Sequence, residues 1–259
     1  MAKKASSALV AQSGLTPALA ARFAPRLGTS AAAALGTSLW PYIGTRGASF
    51  KLGERKIGNV MDLVILDFVL VNQYYGGEFN PQQSTPPVCF ALSTSKDEDA
   101  REKMAPPAEL ATKVSTSCAV CPNNAWGSGK RRGKACKNGA RLIVLGSGED
   151  YNKTQGARLS VPVTSVRKLG EYLKGQEERG RPCDGVVTEV TLTAGSDGGF
   201  NMDFAWKADI NDMAILDALE ARAKLGHDSL VIAPSTEAFS DAPKQGGKHR
   251  ATLRKVVKK

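Results

Sequence analysis

Four of the five cysteines lie within residues 89–136, with a spacing that is typical of metal ligands. Cys118 and Cys121 form a C-x-x-C pair, Cys136 follows a basic, glycine-rich loop, and Cys89 precedes them all. Two thiolates two residues apart can bind one ion from a single turn, and a tetrahedral set of sulfur ligands favours zinc. We therefore predict a Zn²⁺ site. Four sulfur ligands would leave no open position for water, so the expected role of the metal is structural.

The pattern leaves the fourth ligand open. The C-x-x-C pair and Cys136 are the core of the prediction, and Cys89 is favoured as the fourth ligand because a predicted strand carries it into the same region. The alternatives are Cys183, His227 and His249. An iron–sulfur cluster could use the same thiolates. A redox C-x-x-C is disfavoured because Pro122 and the glycines would spoil the helix expected after such a motif.

The loop between Cys121 and Cys136 carries a cluster of positive charge. Residues 118–141 contain six Lys or Arg and no acid, in a chain whose net charge is +10. Cations that neutralise phosphates release counterions, and an aromatic ring can stack on a base, so this loop indicates a nucleic-acid partner. The predicted contacts are Trp126, Lys130, Arg131, Arg132, Lys134, Lys137 and Arg141, together with Tyr74 and Tyr75 at a strand end.

Other functions are disfavoured by what the sequence offers. The carboxylates are scattered, the two histidines are remote from the cysteines, and no serine stands in a nucleophile-elbow pattern, so no enzyme is predicted. Apolar runs stay shorter than the about 18 residues that a membrane span requires. We read no secretory signal at the N-terminus and expect a cytoplasmic protein.

The elements that must position these residues are mostly strands. The 42% hydrophobic content can build a core, and short apolar or alternating runs predict a mainly β fold with helical additions, of α+β class. We expect a flexible arm over 1–38, one domain over 39–233, and a basic disordered tail over 234–259. Strands are predicted at 49–51, 58–73, 87–92, 141–146 and 157–163, with a hairpin formed by 185–193 and 198–207.

Two helices are predicted, and one aromatic group is assigned to the core. The first helix should be capped by Thr164 or Ser165 and run to about Gly180. The second should start at Asp209 or Asn211 and end at Gly226. The alternating side chains Phe200, Phe204 and Trp206 are expected to pack in the core, and a platform for stacked bases is the alternative.

Three motifs resemble a group of bacteriophage proteins. They are Pro87-Val-Cys89, Cys118-Ala-Val-Cys121-Pro-Asn-Asn, and Gly133-Lys-Ala-Cys136-Lys before a strand. They look like the motifs of zinc-containing, single-stranded-DNA-binding proteins of phage replication and recombination, over about residues 39–165 well and the rest loosely. The resemblance implies Cys89, Cys118, Cys121 and Cys136 as zinc ligands, and an OB-like β-barrel with an inserted zinc-binding loop. It also implies single-stranded DNA as partner, in the cytoplasm of an infected bacterial host.

One departure from that pattern keeps other functions in view. Replication-type single-strand binders usually end in an acidic tail that recruits partner proteins, whereas residues 244–259 carry seven Lys or Arg and no acid. One alternative is a zinc-containing transcription factor or RNA-polymerase-associated factor, whose zinc loop and tail dock a protein partner. Another is a nuclease or recombination enzyme that acts on single strands.

Overall fold

The chain folds around one strongly curled sheet. The computed structural model describes residues 40–76, 86–129, 132–148, 150–151, 156–195 and 199–234. In that part, nine strands form a mixed half-barrel with two α-helices, so the fold is mainly β and of α+β class. The predicted arm over 1–38 lies outside the described residues, as does all of the predicted tail except Pro234.

The strands are numbered in chain order. They are β1 (Tyr42–Gly44), β2 (Phe50–Leu52), β3 (Arg55–Gly58), β4 (Val60–Tyr74), β5 (Cys89–Ser93), β6 (Lys137–Gly146), β7 (Ala157–Val161), β8 (Val186–Ala194) and β9 (Phe200–Asp209). The sheet order is β3-β2-β1-β7-β6-β4-β8-β9, and β5 also pairs with β4. Only the β1–β7 pair is parallel among the described strands.

The long strand β4 organises the sheet. Residues 63–73 pair with β6 along one edge, while the other edge is divided between β8 at residues 60–63 and β5 at residues 70–74. Pairing on both edges and packing on both faces explain its apolar, β-branched sequence. Its two aspartates are about one-third exposed, as the sequence indicated, and they form ion pairs. Asp62 meets Lys207 at 2.6 Å, and Asp67 meets Lys96 at 2.8 Å.

The two helices cover opposite faces of the central strands. Helix α1 (Val163–Glu177) buries Leu169 and Leu173 in a cluster with Leu63, Leu142, Leu159 and Met202. Helix α2 (Met213–Val231) buries Leu219 and Leu230 in a second cluster with Trp40, Val64 and Leu145. Neighbouring residues of β4 therefore point into different clusters, as the alternation of side chains along a strand requires.

The helix ends differ from the predicted ones. Helix α1 begins at Val163 with Pro162 before it, and Ser165, one of the two predicted caps, lies within the first turn. The Ser165 hydroxyl instead accepts a hydrogen bond from the Met202 amide at 2.8 Å. Helix α2 begins at Met213 because the Asp212 carboxylate accepts from the Ala214 amide at 2.8 Å.

Helix α2 continues past the glycine that was predicted to end it. A Cβ at Gly226 would lie 2.8 Å from Ile143 Cδ1 and 2.9 Å from the ring of Trp40. The glycine therefore serves a close approach of helix to sheet and does not mark a helix end.

The aromatic prediction on β9 is right in part. Phe204 packs on Tyr172 with ring centroids 6.2 Å apart, and Phe200 is partly buried against the same cluster. Trp206 is 44% exposed, so its assignment to the core is wrong. It lies on the last strand of the sheet, where its indole N–H donates to Asp209 at 2.9 Å and Arg181 lies over its ring.

Candidate metal centre and nucleic-acid interface

The four cysteines predicted as ligands line a single cavity. Cys89 opens β5, Cys136 directly precedes β6, and Cys118 and Cys121 lie in the loop between these strands. The cavity is small, with a volume of about 10 Å³, and it is partly open to solvent. Cys183 lies on a separate turn and does not line it.

Backbone hydrogen bonds fold the cysteine loop over this cavity. The Cys118 amide donates to the Met104 carbonyl at 2.9 Å, and the Cys136 amide donates to the Asn123 carbonyl at 2.8 Å. A single turn of 3₁₀ helix, Pro122–Asn124, directly follows the C-x-x-C pair. Pro122, which disfavours the longer helix expected after a redox C-x-x-C, thus fits at the start of this short turn.

Two of the four thiols, those of Cys118 and Cys136, lie in an environment that opposes their charged form. Burial, and then the neighbouring cysteines, raise the pKa of Cys136 to about 12. Burial also raises the pKa of Cys118. Two hydrogen bonds act the other way, one from the Asn72 side chain to Cys118 and one from the Gln73 backbone to Cys136. N–H donors that point at sulfur are the outer-shell groups expected around metal-bound thiolates.

The donor chemistry fits a structural zinc ion, although the side chains have not converged on one point. Among the described residues, no group of three or more Cys, His, Asp or Glu side chains is arranged to hold a metal ion as it stands. Four thiols around one cavity, with N–H donors to two of them, are nevertheless the set that zinc prefers. Binding would draw the thiols together, and Cys121 is the least buried of the four.

Three asparagines connect the cavity to the basic loop. Asn72 on β4 is 1% exposed and lines the cavity. The side-chain amide of Asn138 donates to Asn72 Oδ1 at 2.6 Å and to Asn124 Oδ1 at 3.0 Å. Asn124 in turn donates to the Cys118 carbonyl at 2.8 Å. This network was not predicted from the sequence, where its one signal is a polar residue, Asn72, inside the apolar run of β4.

The loop above the network exposes the predicted tryptophan. Trp126 is 80% exposed, and Lys134 Nζ lies 5.5 Å from the centre of its ring. The Gly129 amide donates to the Gly133 carbonyl at 2.8 Å, and a Cβ at Gly129 would lie 2.7 Å from the backbone of Lys134. The glycine is therefore required where the two arms of the loop cross.

Three of the predicted basic contacts lie on or next to the same loop. Arg132 and Lys137 are exposed, Lys134 is partly exposed, and none of them pairs with a carboxylate within the described part of the chain. Lys130 and Arg131 lie outside the described residues. An exposed ring beside unpaired cations is a surface that can take a base and its phosphates.

Arg141 is not part of that surface. It is 2% exposed, and its guanidinium donates to the carbonyls of Leu230 at 2.6 Å and Ile232 at 2.7 Å. Arg141 therefore satisfies carbonyls at the C-terminal end of α2, and its prediction as a phosphate contact is wrong.

The two tyrosines are only partly exposed. Tyr74 lines the cysteine cavity, and burial raises the pKa of Tyr75, whose hydroxyl donates to Gln73 at 3.2 Å.

Among the described residues, neither helix is long and apolar enough to cross a membrane. No protein-family model, no curated protein and no solved structure matches this chain.

Proposed function

We propose that this chain is a non-catalytic, zinc-containing single-stranded-DNA-binding protein of a bacteriophage, which coats and protects single strands during replication or recombination. One observation carries the proposal: a cavity lined by four cysteines underlies a loop that exposes Trp126, with the Lys134 ammonium 5.5 Å from the centre of its ring. The phage source and the cytoplasm of an infected host as its location belong to the same proposal.

The loop would bind single strands without reading their sequence. Arg132, Lys134 and Lys137 would meet successive phosphates, and the binding would weaken with salt as counterions are retained. Trp126 would stack on one base. Such stacking contributes about 1–3 kcal/mol to binding and does not depend on which base is present. In a duplex the faces of the paired bases are not accessible to the tryptophan ring. Single strands should therefore bind more tightly than duplex.

The four cysteines would hold the metal, whose contribution is stabilisation of the loop. Residues 122–135 contain almost no apolar side chain besides Trp126, and that ring is exposed. Hydrophobic burial therefore cannot hold the loop in shape, whereas thiolate ligation can supply that free energy.

An OB-like barrel with an inserted zinc-binding loop is the finer fold in this proposal. Its support is the strong curl of the sheet, with the cysteine loop inserted between β5 and β6. In OB folds a strand face and its neighbouring loops bind single strands.

Fluorescence anisotropy of labelled single-stranded DNA, duplex DNA and RNA, titrated with salt, tests the proposal. Single-stranded DNA should bind far more tightly than duplex, with little dependence on sequence and a steep dependence on salt. Weak binding to every nucleic acid would contradict it. In that case a nuclease-treated pull-down that recovers RNA polymerase would support the transcription-factor alternative. Loss of the labelled strand by metal-dependent cleavage would support the enzyme alternative.

A further inference from the structure

Arg101 is a half-buried cation beside the cysteine cavity. It lies in the segment between β5 and the C-x-x-C pair. Its guanidinium donates to Asn72 Oδ1 at 3.2 Å and to the Gly139 carbonyl at 2.8 Å. No Asp or Glu of the described residues pairs with it. Arg101 reaches the cysteine cavity through Asn72, whose side chain lines it.

A charge in this position needs a counter-charge. Two neutral acceptors satisfy part of the guanidinium, but partial burial of a cation is unfavourable unless an anion lies nearby. Four thiolates around a divalent cation carry a net charge of −2, and this centre would lie next to Arg101. Partial burial of the guanidinium charge is therefore unfavourable without the metal and becomes favourable once the thiolates form.

We propose that Arg101 is a positioning residue of the candidate metal centre: its charge offsets the excess negative charge of the metal–thiolate group, and its two hydrogen bonds fix Asn72 and the first residues of β6. This inference rests on the proposed metal site. Asn72 carries the effect inward because it lines the same cavity as Cys118.

The same hydrogen bonds lead outward to the proposed DNA surface. Asn72 Oδ1 accepts from both Arg101 and Asn138, and Asn138 donates onward to Asn124. Asn124 Oδ1 lies 3.5 Å from Lys134 Nζ, which lies over the ring of Trp126. Arg101 therefore anchors one end of a polar chain whose other end is the exposed tryptophan.

Metal titration of the full chain tests this role directly. Co²⁺ is added to wild type, Arg101→Gln, Arg101→Lys and the control Arg167→Gln, and sulfur-to-cobalt absorption is followed in competition with a chelator. Removing the charge should weaken metal binding by about 10–100-fold, as outer-shell changes do at other metal sites. Arg101→Lys keeps the charge and should retain most of the affinity. Arg167 is 87% exposed and its variant should match wild type.

Each outcome decides a separate point. Wild-type affinity in Arg101→Gln would overturn the inference. An equally large loss in Arg101→Lys would overturn the charge argument, and this comparison remains available if Arg101→Gln does not fold. A wild-type protein that shows no sulfur-to-cobalt absorption would instead refute the proposed metal centre, a failure that is distinct from the other two.

Discussion

Replacing three cations of the basic loop should change the salt dependence of DNA binding by a predictable amount. The variant carries Arg132→Ala, Lys134→Ala and Lys137→Ala, at three positions that make no ion pair within the described residues. On single strands the logarithm of the binding constant falls by about 0.7 per neutralised phosphate for each tenfold increase in salt. Three lost contacts should therefore make the slope less steep by about 2. When the salt is lowered from 1 M to 0.1 M, the binding constant of the variant should then rise roughly a hundredfold less than that of the wild type.

The assay is fluorescence anisotropy over a series of salt concentrations with labelled single strands of mixed sequence. The control variant carries Lys103→Ala, Arg167→Ala and Lys224→Ala, and it removes the same net charge. These three side chains are 66%, 87% and 74% exposed, and each already pairs with an acid four residues away. The control should keep the wild-type slope, since its cations are not on the proposed surface.

Equal slopes in the wild type and the loop variant would refute the reasoning. So would equal flattening in both variants, because the effect would then follow from total charge and not from the position of the loop. A sequence-dependent loss would also contradict phosphate contact, which should weaken binding alike for all sequences.

Three further predictions concern single residues. Trp126→Ala should weaken single-strand binding by about 1–3 kcal/mol while leaving the salt slope unchanged, and a changed slope in the anisotropy series would contradict stacking. Cys118→Ser should lose zinc on dialysis whereas Cys183→Ser should retain it, as measured by atomic absorption; equal metal content in both would exclude the proposed ligand set. Gly226→Ala should lower the free energy of unfolding in urea by about 1–3 kcal/mol because its Cβ would clash with Ile143. The matched change Gly170→Ala, in α1 with open space around it, should raise that free energy by about 1 kcal/mol; a loss at both positions would contradict the packing argument.

Local patterns predicted most of the sheet. The alternation of Val186–Ala194 and Phe200–Asp209 predicted their hairpin, and the apolar run of β4 predicted the longest strand. The short strands β1 and β3 were missed, because three or four residues carry too little periodicity to stand out. The order of the strands depends on long-range pairing, such as that of β1 with β7, which no local pattern records.

The candidate site was predictable only where a side chain acts through its own type and spacing. The four cysteines could be selected from their motifs. The role of Arg141 could not, because its partners are carbonyls at Leu230 and Ile232, near the other end of the described chain. The local sequence around a lysine or arginine in a basic run is the same whether its side chain is exposed to solvent or binds the carbonyls at a helix end. Only the folded structure distinguishes the two roles.

Because one edge of β4 is divided between two partner strands, we expect the two ends of the sheet to open separately. At one end β4 pairs with β8, and at the other it pairs with β5, the strand that begins at Cys89. Loss of the proposed metal ion should therefore cause a sub-global opening. Amide protons in the ladder of residues 70–74 should exchange with solvent faster, while those near residues 60–65 keep their protection. A chain without metal would then remain largely folded, but its cysteine segment would be exposed to oxidants and proteases. The supply of metal would therefore determine how long the proposed binding surface persists, while the fold would persist without it.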